Sequence, residues 1–290
     1  MVEAVTAASV AAVLRWIAFV AASIVCGVTA SRFLLPREGP HPTQRVAALV
    51  RTAALAIIAT LAGRMAQQAL AFAAEPSGAW AMVPVLLGTP WGWAWAGQAA
   101  GAITLALRPG LIATSSRAFV AWLVTGVVVA APAFQGHAFG APRLSGYATA
   151  ADVVHLVAAG LWIGTLFVIV VDRLPGSTPA SAGVVIRAFS PWALTSAATL
   201  GATGVFASWL HVGTLPALWG SSYGRMVLLK LSLVAAVAVV GAINWRRLTP
   251  GLLRPDGVQR LAASARVELA LAAAVFAATA VLVATPLPGE

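Results

Sequence analysis

Charge is what this chain has least of. Only 9% of its 290 residues are Asp, Glu, Lys or Arg, and acid is scarcest, with 8 Asp and Glu against 18 Lys and Arg. Soluble domains carry roughly a quarter charged residues, so a soluble fold is excluded. The net charge of +10 therefore does not signal a nucleic-acid partner. A single cysteine, Cys26, excludes an intramolecular disulfide and any CxxC metal or redox motif. In its apolar surroundings it reads as a small packing residue. Walker, GxGxxG, HExxH and serine-elbow patterns are all missing, which leaves no ATPase, dinucleotide or hydrolase signature. The opening MVEAVTAAS lacks the basic start of a cleaved signal peptide, so the first apolar segment is expected to stay.

Long apolar runs are abundant instead. Hydrophobic residues make up 60% of the chain and the mean hydropathy is +0.91. A spanning helix takes about 20 mainly apolar residues, and eight segments qualify: 9–34, 46–73, 92–108, 116–135, 148–171, 184–211, 222–245 and 261–285. The expected fold is an all-α integral membrane protein of eight transmembrane helices. Arg32, Arg37, Arg45, Arg108, Arg117, Arg173, Arg187, Arg246, Arg247, Arg254 and Arg260 lie in or beside the loops after the first, third, fifth and seventh segments. Elsewhere in the loops and tails only Arg143 is clearly basic. The positive-inside rule puts the arginine-rich side in the cytoplasm and both termini outside.

The chain also echoes itself. LLGTPWGWAWAGQ matches LWGSSYGRMVLLK in outline, SSRAFVAWLVTGVVVAA matches SARVELALAAAVFAA, and VLRWIAFVAASIVCG can be laid on VVHLVAAGLWIGTLF with Arg15 opposite His155. Two four-helix repeats, 1–135 and 136–290, are expected in parallel orientation about an axis along the membrane normal. Arg15 in place of histidine makes the first half read as scaffold and the second as the bearer of a metal site.

On this topology His41 falls in a cytoplasmic loop between prolines and reads as solvated. The other three histidines lie toward the outer face: His137 in FQGHAFG, His155 about 10 Å into its helix at about 1.5 Å per residue, and His211 in ASWLHVG. Imidazole suits copper, zinc, nickel or iron, so the three make a candidate metal site. Asp152 is three residues before His155 and shares its helical face, placed to hold the second ring nitrogen or to ligate directly. Trp162 lies on that face two turns on and is expected to wall the site. His137 and His211 also fit the blander role of helix-end residues meeting water or headgroups. His155, inside a span, needs a partner in any reading. Met82 and Met226 are candidates for soft ligation of Cu(I), and each reads equally well as packing.

Other polar residues fall in or near spans. Gln67, Gln68 and Gln98 offer steps for an inward path, and Glu268 is expected to pair with Arg51 or Arg266. Arg225 and Lys230 begin the seventh segment after Ser221 and Ser222, either of which fits an N-cap. Trp80, Trp91, Trp93, Trp95, Trp209 and Trp219 read as an interfacial belt, and Gly160 and Gly164 as a close helix contact.

The stretches GHAFG…ADVVHLVAAGLWIG, FSPWALTSAATLGATGVFASWLHVG and LWGSSYGRMVLLKLSLVAAVAVVGAINWRRL resemble the CopD family of bacterial copper-resistance and copper-uptake membrane proteins. The resemblance is clear over about 135–288 and looser before it. It implies an eight-helix inner-membrane protein, not an enzyme, that moves copper from periplasm to cytoplasm, often with a periplasmic CopC-like carrier. His137 and His155 match the motif histidines, while His211 lies in a more variable stretch. Two rivals stay open on sequence: a haem b-binding redox protein, since histidines on neighbouring helices also hold iron, and a copper sensor or assembly factor that does not transport. Neither the oxidation state of the copper, Cu(I) or Cu(II), nor the oligomeric state is legible.

Overall fold

A computed structural model describes residues 2–36, 43–113, 117–136, 139–140, 144–212 and 214–285. Among these residues there is no strand, and the chain is an all-α membrane protein. Its helices are α1 (Val2–Leu34), α2 (Thr43–Phe72), α3 (Ala79–Leu87), α4 (Pro90–Leu107), α5 (Ala118–Ala130, continued by a 3-10 turn to Gln135), α6 (Ser145–Arg173), α7 (Pro179–Val212), α8 (Leu215–Gly220), α9 (Ser222–Leu248) and α10 (Gly257–Leu282). In hydrocarbon every backbone group must be satisfied within the segment, so apolar runs of this length become helices. Caps mark two starts. Thr89 Oγ1 accepts from Gly92 N at 3.1 Å with Pro90 in the first turn, and Ser221 Oγ accepts from Gly224 N at 2.9 Å.

Seven of these helices are long and apolar enough to cross a membrane: α1, α2, α5 with its 3-10 continuation, α6, α7, α9 and α10. The remaining expected segment, 92–108, does form a helix. Its 18 residues span about 27 Å against a hydrocarbon core of about 30 Å. The tryptophans, glycines and Gln98 of its first half keep it less apolar than the other seven. The sequence between the second and third expected segments, read as loop, forms α3 instead. Its Ala79, Met82 and Leu86 pack on Met65 and Ala69 of α2.

Two cores hold the helices. Val25, Val50, Ile57, Leu105 and Val128 join α1, α2, α4 and α5, while Trp162, Ile169, Phe189, Val237 and Ala265 join α6, α7, α9 and α10. α6 belongs to both, with Leu156 and Leu161 facing the first core and Trp162 and Leu166 in the second. It meets α1 backbone to backbone. A Cβ on Gly164 would stand 1.8 Å from Ser23 O, one on Gly27 would stand 1.9 Å from the Gly164 carbonyl carbon, and one on Gly160 would stand 2.6 Å from Cys26 Cβ. The sequence reading of the two glycines and of Cys26 is correct: small residues let the helices touch. Polar clasps extend the join, with the Thr29 and Thr125 hydroxyls 2.9 Å apart between α1 and α5, and Trp16 Nε1 donating to Ala273 O of α10 at 3.0 Å.

Three stretches widen to π-helix: Gly160–Gly164 and Ile169–Arg173 in α6, and Asn244–Leu248 at the end of α9. Such bulges gather at functional sites. α7 and α9 are the least buried of the seven spanning helices.

Candidate functional site

His155 lies on α6 ten residues past its first, facing α7. Its Nδ1 is 2.8 Å from Thr203 Oγ1. The Thr203 hydroxyl has one proton to give, and two carbonyls of its own helix can take it, Thr199 O at 2.7 Å and Leu200 O at 3.3 Å. With that proton on Thr199 O, Thr203 accepts from the ring and His155 is the Nδ1–H tautomer. The lone pair is left on Nε2. A neutral imidazole with one nitrogen tied and the other bare is the state a metal ligand needs.

Four more polar side chains lie toward the same end of the bundle. Asp152 interacts electrostatically with Lys230 and His211, and also acts on Tyr223, while Lys230 acts on His155 as well. His211 Nδ1 lies 2.9 Å from Ala207 O, again leaving Nε2 bare, and its ring stacks on buried Tyr223 with centroids 6.4 Å apart. Three helices contribute: α6 gives Asp152 and His155, α7 gives Thr203 and His211, and α9 gives Tyr223 and Lys230. Met226 packs beside Tyr223, Val212 and Val227. Arg225 turns away, its guanidinium on the carbonyls of Trp219 and Gly220 at 3.3 and 3.5 Å.

Several expectations change. The ring partner of His155 is Thr203, not Asp152. Trp162 does not wall this site, because its Nε1 donates to Glu268 Oε1 at 3.2 Å, well inside the bundle. Met82 packs with α2 and α3 in a cluster apart from the histidines. Gln98 is tied to Val128 O at 3.1 Å in the first core, away from the second-core helices that carry the histidines. His137 lies outside the described residues, as do His41 and Arg143. Among the described residues no three His, Cys, Asp or Glu side chains stand close enough to hold a metal ion. Thr203 and Tyr223 escaped the sequence reading. The clue to Thr203 was its position eight residues before His211, on the same helix.

Glu268 forms a second polar centre on α10 and is only 3% exposed. It makes no ion pair with Arg51 or Arg266, both of which are exposed. Instead Oε1 accepts from Trp162 Nε1 and Oε2 accepts from Asn244 Nδ2 at 2.7 Å. Both donors sit on π-helical stretches, one in α6 and one at the end of α9. The wider turn swings each side chain toward α10.

Trp80, Trp93, Trp209 and Trp219 are well exposed at the histidine-bearing end, as an interfacial belt requires. Trp95 is not among them, since its Nε1 donates to Leu61 O at 2.9 Å between α4 and α2.

Comparison with known proteins adds a lineage to this geometry. The family model described as Copper resistance protein D matches residues 183–282, which takes in Thr203, His211, Tyr223, Lys230, Asn244 and Glu268. The model described as Copper resistance protein D-like, N-terminal domain, matches residues 5–147. Between them lies most of α6, with Asp152, His155 and Trp162. A Copper transport protein, CutJ, of Bacillus subtilis (strain 168) is 29% identical over 216 residues, covering 71% of this chain. The matched region is 38% of that relative's own length. No solved structure matches. With both halves of the chain matched by the family's models, this all-α membrane protein belongs to the CopD family.

Proposed function

We propose that the protein carries copper ions across the bacterial plasma membrane, from the outer, histidine-bearing end to the arginine-rich cytoplasmic end. His155 is the capturing ligand, His137, His211 and Asp152 support it, and Met226 adds a soft donor beside Tyr223. The observation that carries this reading is the His155–Thr203 bond, which presents a bare Nε2 inside a membrane span. The printed name of the Bacillus relative, a copper transport protein, supports transport. The loop arginines support eight crossings with α4 included, and both termini outside. A periplasmic carrier of the CopC type would deliver the metal.

The electrostatics suit capture and release. Lys230 of α9 and Asp152 of α6 act on each other electrostatically. An arriving cation competes with Lys230 for that carboxylate, so it is held without becoming trapped. Inward movement is driven by the membrane potential, about 2.3 kcal/mol per charge per 100 mV.

The test combines elemental analysis with flux. Purified protein loaded with copper and desalted should retain about one copper per chain, and His155→Ala should lose it. Proteoliposomes holding the wild type should accumulate copper and the variant should not. Binding without flux would replace transport with sensing or assembly. Iron in place of copper would move the site to the haem reading.

A further inference from the structure

Among the described residues the carboxyl of Glu268 has two hydrogen-bond donors on it and no cation. Lys230 acts on Asp152 and His155 instead, Arg15 acts on Arg64, and Arg32 acts on Arg173. Asp172 pairs with Arg173 at 3.5 Å. Arg187, Arg246, Arg247, Arg260 and Arg266 are exposed. Among the described residues no charged side chain from α1, α6, α7, α9 or α10 itself acts on Glu268. A buried carboxylate is normally paired or fully hydrogen-bonded, and this one is only partly supplied.

Its partners differ in kind. Trp162 is a donor only. It satisfies Oε1 whether that oxygen belongs to a carboxylate or is the carbonyl of a carboxylic acid. Asn244 is both donor and acceptor. Its Nδ2 donates to Oε2, while its Oδ1 has no hydrogen-bond partner although the residue is 8% exposed. Rotating this amide by half a turn offers Oδ1 to Oε2, which suits a carboxyl that carries its own proton. One fixed donor and one reversible amide give both carboxyl oxygens a partner in either protonation state.

We infer that Glu268, with Asn244 and Trp162, is a proton-binding site in the arginine-side half of the bundle. The site loads one proton from water onto Oε2 with rotation of the Asn244 amide, and releases it by the reverse. Trp162 is seven residues beyond His155 on the same helix, about 10 Å along the axis. The two sites therefore share α6 as a rigid link, and α9 also reaches both through Lys230 and Asn244. The ligand is the proton itself, and the role is to couple proton movement to whatever cation the outer site carries.

Infrared difference spectroscopy on the full chain in lipid tests this without copper. Wild type taken from low to high pH should lose the carbonyl stretch of a protonated carboxyl, reversibly. Glu268→Gln mimics the protonated acid in every hydrogen bond, so it should fold and lack that band. Asn244→Leu removes a partner that binds the ionised carboxylate more strongly than the acid, and should raise the midpoint by about one pH unit, the equivalent of one net hydrogen bond. The proposal is overturned if wild type and Glu268→Gln give the same difference spectrum. It is equally overturned if the Asn244→Leu midpoint is unmoved. Either result leaves the copper reading standing, and a failure of copper binding leaves this one standing.

Discussion

Replacing Thr203 by valine probes the site with the least disturbance. Valine keeps the shape and loses the hydroxyl, so the Nδ1–H of His155 loses the acceptor 2.8 Å away. A partly buried donor left without a partner costs about 1–3 kcal/mol. The ring escapes that penalty by taking the other tautomer or by turning, and in both cases Nε2 is no longer held out as a bare lone pair. Loss of such an outer partner typically lowers metal affinity 10–100-fold, roughly 1.4–2.7 kcal/mol. The assay is a competitive copper titration of purified protein against a chelator of known affinity. Thr203→Ser is measured in parallel because it retains the oxygen, and it should stay close to wild type. Valine at wild-type affinity would refute the tautomer argument, provided that His155→Ala still loses the metal. Serine falling as far as valine would refute it too, since packing and not the hydrogen bond would then be at issue.

Three further outcomes are expected. Lys230→Met leaves Asp152 without its positive neighbour and should raise copper affinity about tenfold, about 1.4 kcal/mol, in the same titration; unchanged or weaker binding would remove Lys230 from the capture step. Gly164→Ala forces a Cβ into Ser23 O and should lower the midpoint of thermal unfolding in detergent by several degrees or prevent assembly, whereas Gly204→Ala, with nothing within 4 Å of its Cβ position, should not. Reporter domains fused at each end should be active only where they report the outer compartment, and activity on the inner side would reverse the orientation drawn from the arginines.

Much of the fold could be read because hydrocarbon leaves few options: a long apolar run is a helix, and the interruptions mark its ends. α4 strained that rule because its tryptophans and Gln98 satisfy the interface and the first core instead of lipid. The π-helical stretches left no mark in the sequence, because an extra residue per turn is decided by what the helix packs against. The candidate site was legible at the level of single residues and illegible in its pairings. His155 announced itself by being polar in a span, but its partner is 48 residues away on α7 and carries an ordinary threonine. Glu268 was assigned an arginine because charge complementarity is the simplest rule. Its actual partners are a tryptophan 106 residues away and an asparagine 24 residues away, and nothing in local spacing distinguishes either. Asp152 was expected to hold His155 on helical periodicity, which places two residues on one face without making them touch.

The crossing of α1 with α6 has a consequence for how the chain is made. Gly27 and Gly164 lie in direct backbone contact, yet nearly half the chain separates them. At roughly 5–20 residues per second, the ribosome delivers α6 on the order of ten seconds after α1 has entered the bilayer. During that interval the face of α1 around Ser23 and Gly27, too close-fitting for any side chain in the finished fold, has no α6 to meet. Assembly of the two halves is thus a timed event, and the first helix must be held upright until its counterpart arrives. Synonymous changes that slow translation between the two would lengthen that wait without altering a single residue.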